Sequence, residues 1–99
     1  MTGTYSEAQI RERLAAHPGW ELGEDGQVHR LFVFRDFKET MMFANAVALL
    51  AEAADHHPDL FIHGYKRLRV SLMSHDVQGI TGRDFRLIEQ IDALPSFKE

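Results

Sequence analysis

Cysteine is absent from the 99 residues of the chain. That excludes a disulfide framework and thiolate chemistry, and it fits a reducing cytosol, so a cytoplasmic location is expected. Any nucleophile, proton carrier or metal ligand must be histidine, carboxylate or hydroxyl. Long apolar runs are missing too, since no window approaches the roughly 18 residues that a membrane helix needs. The start, Met-Thr-Gly-Thr-Tyr-Ser-Glu, has neither a basic nor an apolar segment. A soluble, unprocessed chain without membrane contact is expected. Positive charge is scarce, 11 basic against 15 acidic residues, which argues against nucleic acid as the partner. No repeat, low-complexity stretch or linker divides residues 1–99, so one domain is expected.

What is present reads as alternating helices and strands. Ser6-Glu-Ala-Gln9 has the form of a capping box, and Ile10 and Leu14 follow at helical spacing. A helix from about Glu7 to Ala16 is predicted, ended by His17-Pro18-Gly19. Trp20 to Leu22 and Val28 to Phe34 are predicted strands joined by the turn Glu24-Asp-Gly-Gln27. The second is apolar on both faces, which implies helices on one side and a partner subunit on the other. Asp36-Phe-Lys-Glu39 opens a helix to about Asp55, closed by Pro58. Leu60 to Tyr65 and Leu68 to Met73 form a predicted hairpin, and Thr81-Gly-Arg-Asp84 opens a last helix with Ile88, Ile91 and Leu94 inward. The expected fold is α+β: a four-stranded antiparallel sheet with three helices on one face, in the order α-β-β-α-β-β-α.

Chemistry concentrates in Glu52-Ala-Ala-Asp55-His56-His57-Pro58-Asp59, which closes an apolar run. Charged side chains beside a core are costly without partners or chemistry. Glu52 and His56 are one turn apart if the helix reaches that far. Each residue also has a bland reading: Glu52 as a solvated acid, His75 as a loop residue, Asp84 as the third residue of a capping box, Tyr65 and Phe61 as core or rim. Lys66, Arg67 and Arg69 read as a solvated strand edge. The adjacent histidines have no such structural explanation, and imidazole both gives and takes protons near neutrality. Glu52, His56 and His75 are metal-ligand types, yet no HExxH or Cys/His framework accompanies them, and no metal is expected.

Taken together, Glu52-x3-His56-His57-Pro58, Tyr65, His75 and Asp84, with Gly79-Ile-Thr81 before the last, resemble the signature of the pterin-4a-carbinolamine dehydratases. Gly19-Trp20, Phe32-x-Phe34-x2-Phe37 and Phe43 extend the resemblance over most of the chain. Two departures stand out: Leu60 occupies a position where the family usually has Trp, and the spacing to Tyr65 is often one residue shorter there.

The resemblance implies an α+β fold and loss of water from a 4a-hydroxytetrahydropterin to the quinonoid dihydropterin, which recycles the cofactor of aromatic amino acid hydroxylases. Pterin is then the substrate, and no cofactor is needed. His56 and His75 are implied as acid and base in either assignment, with His57 binding the ring or serving the other epimer. Glu52 would orient His56, and Asp84 would orient His75. Asp55, Ser74, Trp20 and Phe61 are candidates for substrate contact. A homodimer or homotetramer is implied. The alternative, also present in the family, is a non-catalytic protein-binding, dimerisation or assembly module on the same fold.

Overall fold

Each helix begins where a side chain takes up amide groups that a first turn leaves unbonded. In the computed structural model, which describes residues 3–95, α1 (Glu7–Leu14) opens on a complete capping box from Ser6 and Gln9. α2 (Phe37–Ala54) opens on Asp36, whose carboxylate accepts the Glu39 N–H at 2.9 Å. The Glu39 carboxylate is itself hydrogen-bonded to Arg35. α3 (Gly82–Asp92) opens on a second complete box, Thr81 with Asp84.

The strands are β1 (Glu21–Leu22), β2 (Val28–Val33), β3 (Asp59–His63) and β4 (Arg67–Leu72). They form one antiparallel sheet in the order β1-β2-β4-β3. This is the expected α+β architecture in the expected order. Local differences have local causes. α1 ends at Leu14, before His17-Pro18, rather than at Ala16. β3 stops at His63, because Gly64 and Tyr65 both take positive φ, 56° and 53°, and the chain turns there instead of bending within a strand.

Strand alternation decides what is buried. Val28 and Phe32 of β2 face the helices and pair in register with Leu72 and Leu68 of β4, and all four are buried. Phe32 sits 4.9 Å from the Phe43 ring and edge-on to Trp20 at 6.2 Å, so it joins both central strands to α2. Burying a side chain of this size stabilises by about 1.5–3 kcal/mol, and cutting Phe32 to alanine would cost about 3–5 kcal/mol once the cavity is included. On the open face of the sheet Leu31 and Phe61 flank Arg69, 47% and 57% exposed. α2 is apolar outside as well as in, with Phe37, Met41, Met42 and Leu49 exposed. Hydrogen bonds from His56 and Ser74 to Asp84 show that the end of α2, the end of β4 and the start of α3 meet at one point.

Candidate active site

α2 ends on a left-handed residue. Asp55 has φ 49° and ψ 46°, its N–H bonds back to the Glu52 carbonyl, and the His56 N–H bonds to the Ala51 carbonyl at 3.0 Å. These two bonds form a Schellman motif, which reverses the chain and takes His56 off the helical spiral. Pro58 follows and cannot resume the helix. Neighbouring histidines are thereby sent in opposite directions: His56 is buried and His57 exposed.

His56 Nε2 donates to Asp84 Oδ1 at 2.6 Å, a contact in which the ring is 8% and the carboxylate 0% exposed. Asp84 also accepts the Ser74 hydroxyl at 2.8 Å and the Thr81 N–H at 2.9 Å, both on Oδ2. Three donors thus converge on one buried acid, as a group with no solvation of its own requires. The other ring nitrogen of His56, Nδ1, makes no hydrogen bond among the described residues. Among the described residues, the one side-chain polar atom both buried and unpaired is Gln27 Oε1, so Nδ1 keeps contact with solvent. A histidine tied at Nε2 and open at Nδ1 can take up or release a proton at a single defined atom.

The pairing differs from expectation at two residues. Glu52 does not reach His56; it accepts from His57 Nε2 at 2.6 Å on the surface. The one-turn relationship fails because the helix ends at Ala54 and the left-handed residue rotates His56 inward. Asp84 is bonded to His56 rather than to His75, while it does cap its own helix. His75 directly follows Ser74; it is exposed, and its ring has no hydrogen bond among the described residues.

The structure does not bring Trp20 or Phe61 to this cluster. Trp20 is 4% exposed, and its indole N–H donates to Asp92 at 3.1 Å. Asp92 lies two turns beyond Asp84 on α3, about 12 Å along the axis. Phe61 is on the open face of the sheet, stacked on His63 at 4.9 Å. Asp55 is exposed at the turn itself, and Ser74 is wholly buried with its hydroxyl directed inward. Thr81, read from the sequence as a helix start and as part of the family resemblance but not as a site residue, contacts Ser74 Oγ at 2.8 Å. Its signal was the capping box itself, which brings residue 81 onto the same carboxylate that His56 uses.

Beyond the cluster, the loop carrying His75 is tethered by Arg83, which donates to Asp76 at 2.6 Å. That hydrogen bond holds the Asp76 carboxyl below the usual carboxylate range. Two open concavities of about 490 Å³, one between α1 and the β1–β2 turn and one between α1 and α3, take no residue of the histidine cluster. Among the described residues, no three or more His, Asp or Glu side chains are grouped to hold a metal ion, and no helix is long and apolar enough to cross a membrane.

Comparison with known proteins bears on this geometry. The sequence profile of a family described as Pterin 4 alpha carbinolamine dehydratase matches residues 3–94. A protein of Chloroflexus aggregans provisionally named pterin-4-alpha-carbinolamine dehydratase is 44% identical over 89 residues, 90% of this chain and 94% of its own. The crystal structure of a transcriptional coactivator/pterin dehydratase from Brucella melitensis matches with a TM-score of 0.85 at 33% identity, covering 92% of this chain and 97% of that one. A pterin dehydratase-like protein identified as a RuBisCO assembly factor shares the fold, with a TM-score of 0.64 at 22% identity over 78% of this chain and 89% of its own.

Proposed function

The chain belongs to the pterin 4 alpha carbinolamine dehydratase family, and we propose on that footing that it removes water from a 4a-hydroxytetrahydropterin to give the quinonoid dihydropterin. The observation that carries the reading is the buried pair of His56 and Asp84, with Nδ1 of the same ring open to solvent. In the reaction the C4a–O bond breaks and the departing hydroxide takes a proton to leave as water. A ring N–H loses a proton, and its electron pair forms the new C=N bond. Hydroxide leaves slowly unless an acid meets it, so one acid and one base are needed.

His56 carries one of these protons at Nδ1. Its Nε2–H stays on Asp84 Oδ1, 2.6 Å away, which holds the ring in one orientation. His75 carries the other, from an exposed ring with no competing hydrogen bond among the described residues. His57, held by Glu52, binds the ring or serves the other epimer. Asp55, exposed at the turn before His56, faces the donor-rich edge of the pterin, while the backbone carbonyls of Ser74 and His75 are taken up within their own loop. No cofactor or metal enters the scheme, and residues 1–99 act as one domain.

The outer face of α2 supports association of like chains. Phe37, Met41, Met42 and Leu49 leave a stripe of large apolar groups in water, with Leu49 73% exposed. A homodimer or homotetramer covers it, and Leu49→Glu shifts sedimentation toward the monomer. The catalytic reading is tested with freshly made 4a-hydroxytetrahydropterin in EDTA. Turnover by the wild type that falls roughly 10²-fold or more in His56→Ala and His75→Ala supports it. Folded wild type that does no better than buffer ends it and turns attention to protein partners.

A further inference from the structure

Proton counting gives the hydrogen bonds around Asp84 a direction. A backbone N–H can only donate, so Thr81 N–H fixes Asp84 Oδ2 as an acceptor at 2.9 Å. Ser74 Oγ, 2.8 Å from the same oxygen, must then give it the single proton a serine hydroxyl has. That proton is spent. In the contact between Ser74 Oγ and Thr81 Oγ1, also 2.8 Å, Thr81 is therefore the donor. Thr81 Oγ1 in turn accepts the Arg83 N–H at 3.2 Å. The order runs one way: Arg83 N–H to Thr81, Thr81 to Ser74, Ser74 to Asp84. Oδ2 is occupied by two donors, so Oδ1 is left to face His56 Nε2 at 2.6 Å.

Neither hydroxyl is available to a small molecule. Ser74 is 0% and Thr81 6% exposed, and the one proton each can give is already used inside the protein. We infer that Ser74 and Thr81 are positioning residues for the dehydration: together they orient the Asp84 carboxylate so that His56 keeps its proton on Nε2 and exchanges protons only at Nδ1. The inference rests on the proposed reaction for its effect on rate, though not for its effect on the ring. A carboxylate free to turn would let His56 adopt the other tautomer, in which Nδ1 carries the proton and cannot act as base. Ser74 is therefore a support of the histidine rather than a contact of the substrate.

The test is made on the full chain with Ser74→Ala and, as the conservative variant, Ser74→Thr, which restores a hydroxyl. Two quantities are read: the tautomer of His56 from its ring ¹⁵N shifts, and kcat and KM for dehydration across neutral pH. Ser74→Ala is expected to convert a ring held almost wholly as Nε2–H into a mixture. It is also expected to lower kcat about tenfold, a part of the roughly 10²-fold or more that a positioned acid or base contributes, with KM little changed. Ser74→Thr should return both. Thr81→Gly, which keeps a tolerated helix N-cap without the hydroxyl, should move the ring signal the same way. If Ser74→Ala does not fold, Thr81→Gly decides alone. An unchanged Nε2–H signal in a folded variant overturns the inference, as does a rate loss that tracks only the fraction unfolded. Should the wild type fail to dehydrate the pterin, the proposed reaction falls while the ring signal still decides whether Ser74 and Thr81 hold His56.

Discussion

His56 Nε2 and Asp84 Oδ1 stand 2.6 Å apart although 28 positions separate the residues. The contact joins the left-handed exit of one helix to the capping box of another, so one carboxylate serves fold and histidine together. Asp84→Asn is the direct probe. An amide can still accept from His56, but its NH₂ would then face the Ser74 hydroxyl and the Thr81 N–H, donor against donor. The expected result is a rate loss of roughly 10²-fold or more and a destabilisation of about 1–3 kcal/mol for the unpaired buried groups. Steady-state kinetics and urea unfolding measure the two separately.

The surface pair behaves differently. His57 and Glu52 are 58% and 73% exposed at their side chains, where solvent and salt screen the contact. Glu52→Gln is expected to change stability by less than about 1 kcal/mol, with a difference from wild type that shrinks in high salt. Urea midpoints at low and high ionic strength check this.

Asp55 places a negative charge at the C-terminal end of α2, where the helix dipole disfavours it, and does so with φ 49°. Asparagine accepts the left-handed conformation and carries no charge. Asp55→Asn should raise stability by about 0.3–1 kcal/mol. Pterin KM, measured alongside, should rise as a carboxylate facing the pterin is lost, and a constant KM would leave Asp55 to the turn alone.

Trp20 is the sole tryptophan. Buried, and hydrogen-bonded to Asp92, it should fluoresce at short wavelength in the native chain and shift to the red on unfolding. Trp20→Phe keeps the ring in the core and leaves Asp92 with Arg30, 3.0 Å away. A loss of about 1–2 kcal/mol with turnover unchanged is expected; a large fall in kcat at full folding would return Trp20 to the site.

Arg83 and Asp76 make a pH-dependent tether for the His75 loop. The Asp76 carboxyl lies below its ordinary range because Arg83 donates to it. A lowered carboxyl contributes stability above the ordinary pKa of about 3.9 and loses it as pH falls through the lowered value. The stability difference between wild type and Arg83→Gln should therefore be present at neutral pH and vanish in strong acid, and salt should weaken it. A difference that survives acid would show that Arg83 acts by packing.

Local signals were legible in the sequence, and signals that depend on reversal were not. Ser6 with Gln9, and Thr81 with Asp84, are boxes closed within four residues, so reading them needs no tertiary knowledge. The alternation from Val28 to Phe34 likewise announced a strand, but with both faces apolar it did not say which of them the helices would cover. The partner of His56 could not be read, because it turns on one residue, Asp55, leaving right-handed space. Extending the helix through Asp55 put Glu52 beside the wrong histidine. Tyr65 was misassigned to a strand for a related reason, a positive φ at a residue that is not glycine. Trp20 near the start of a short strand carried no sign that its indole N–H was claimed by Asp92.

The dependence of His56 on Asp84 also fixes when the site comes into being. During synthesis the histidine pair emerges well before residue 84, and until α3 docks, residue 56 has no acid to hold its ring and no core to hide it. A chain stopped just before α3 could own every histidine of the cluster and still lack the pair. Appearance of the Nε2–H signal of His56 therefore reports that α3 has docked against the exit of α2, and a chain without α3 has no such site.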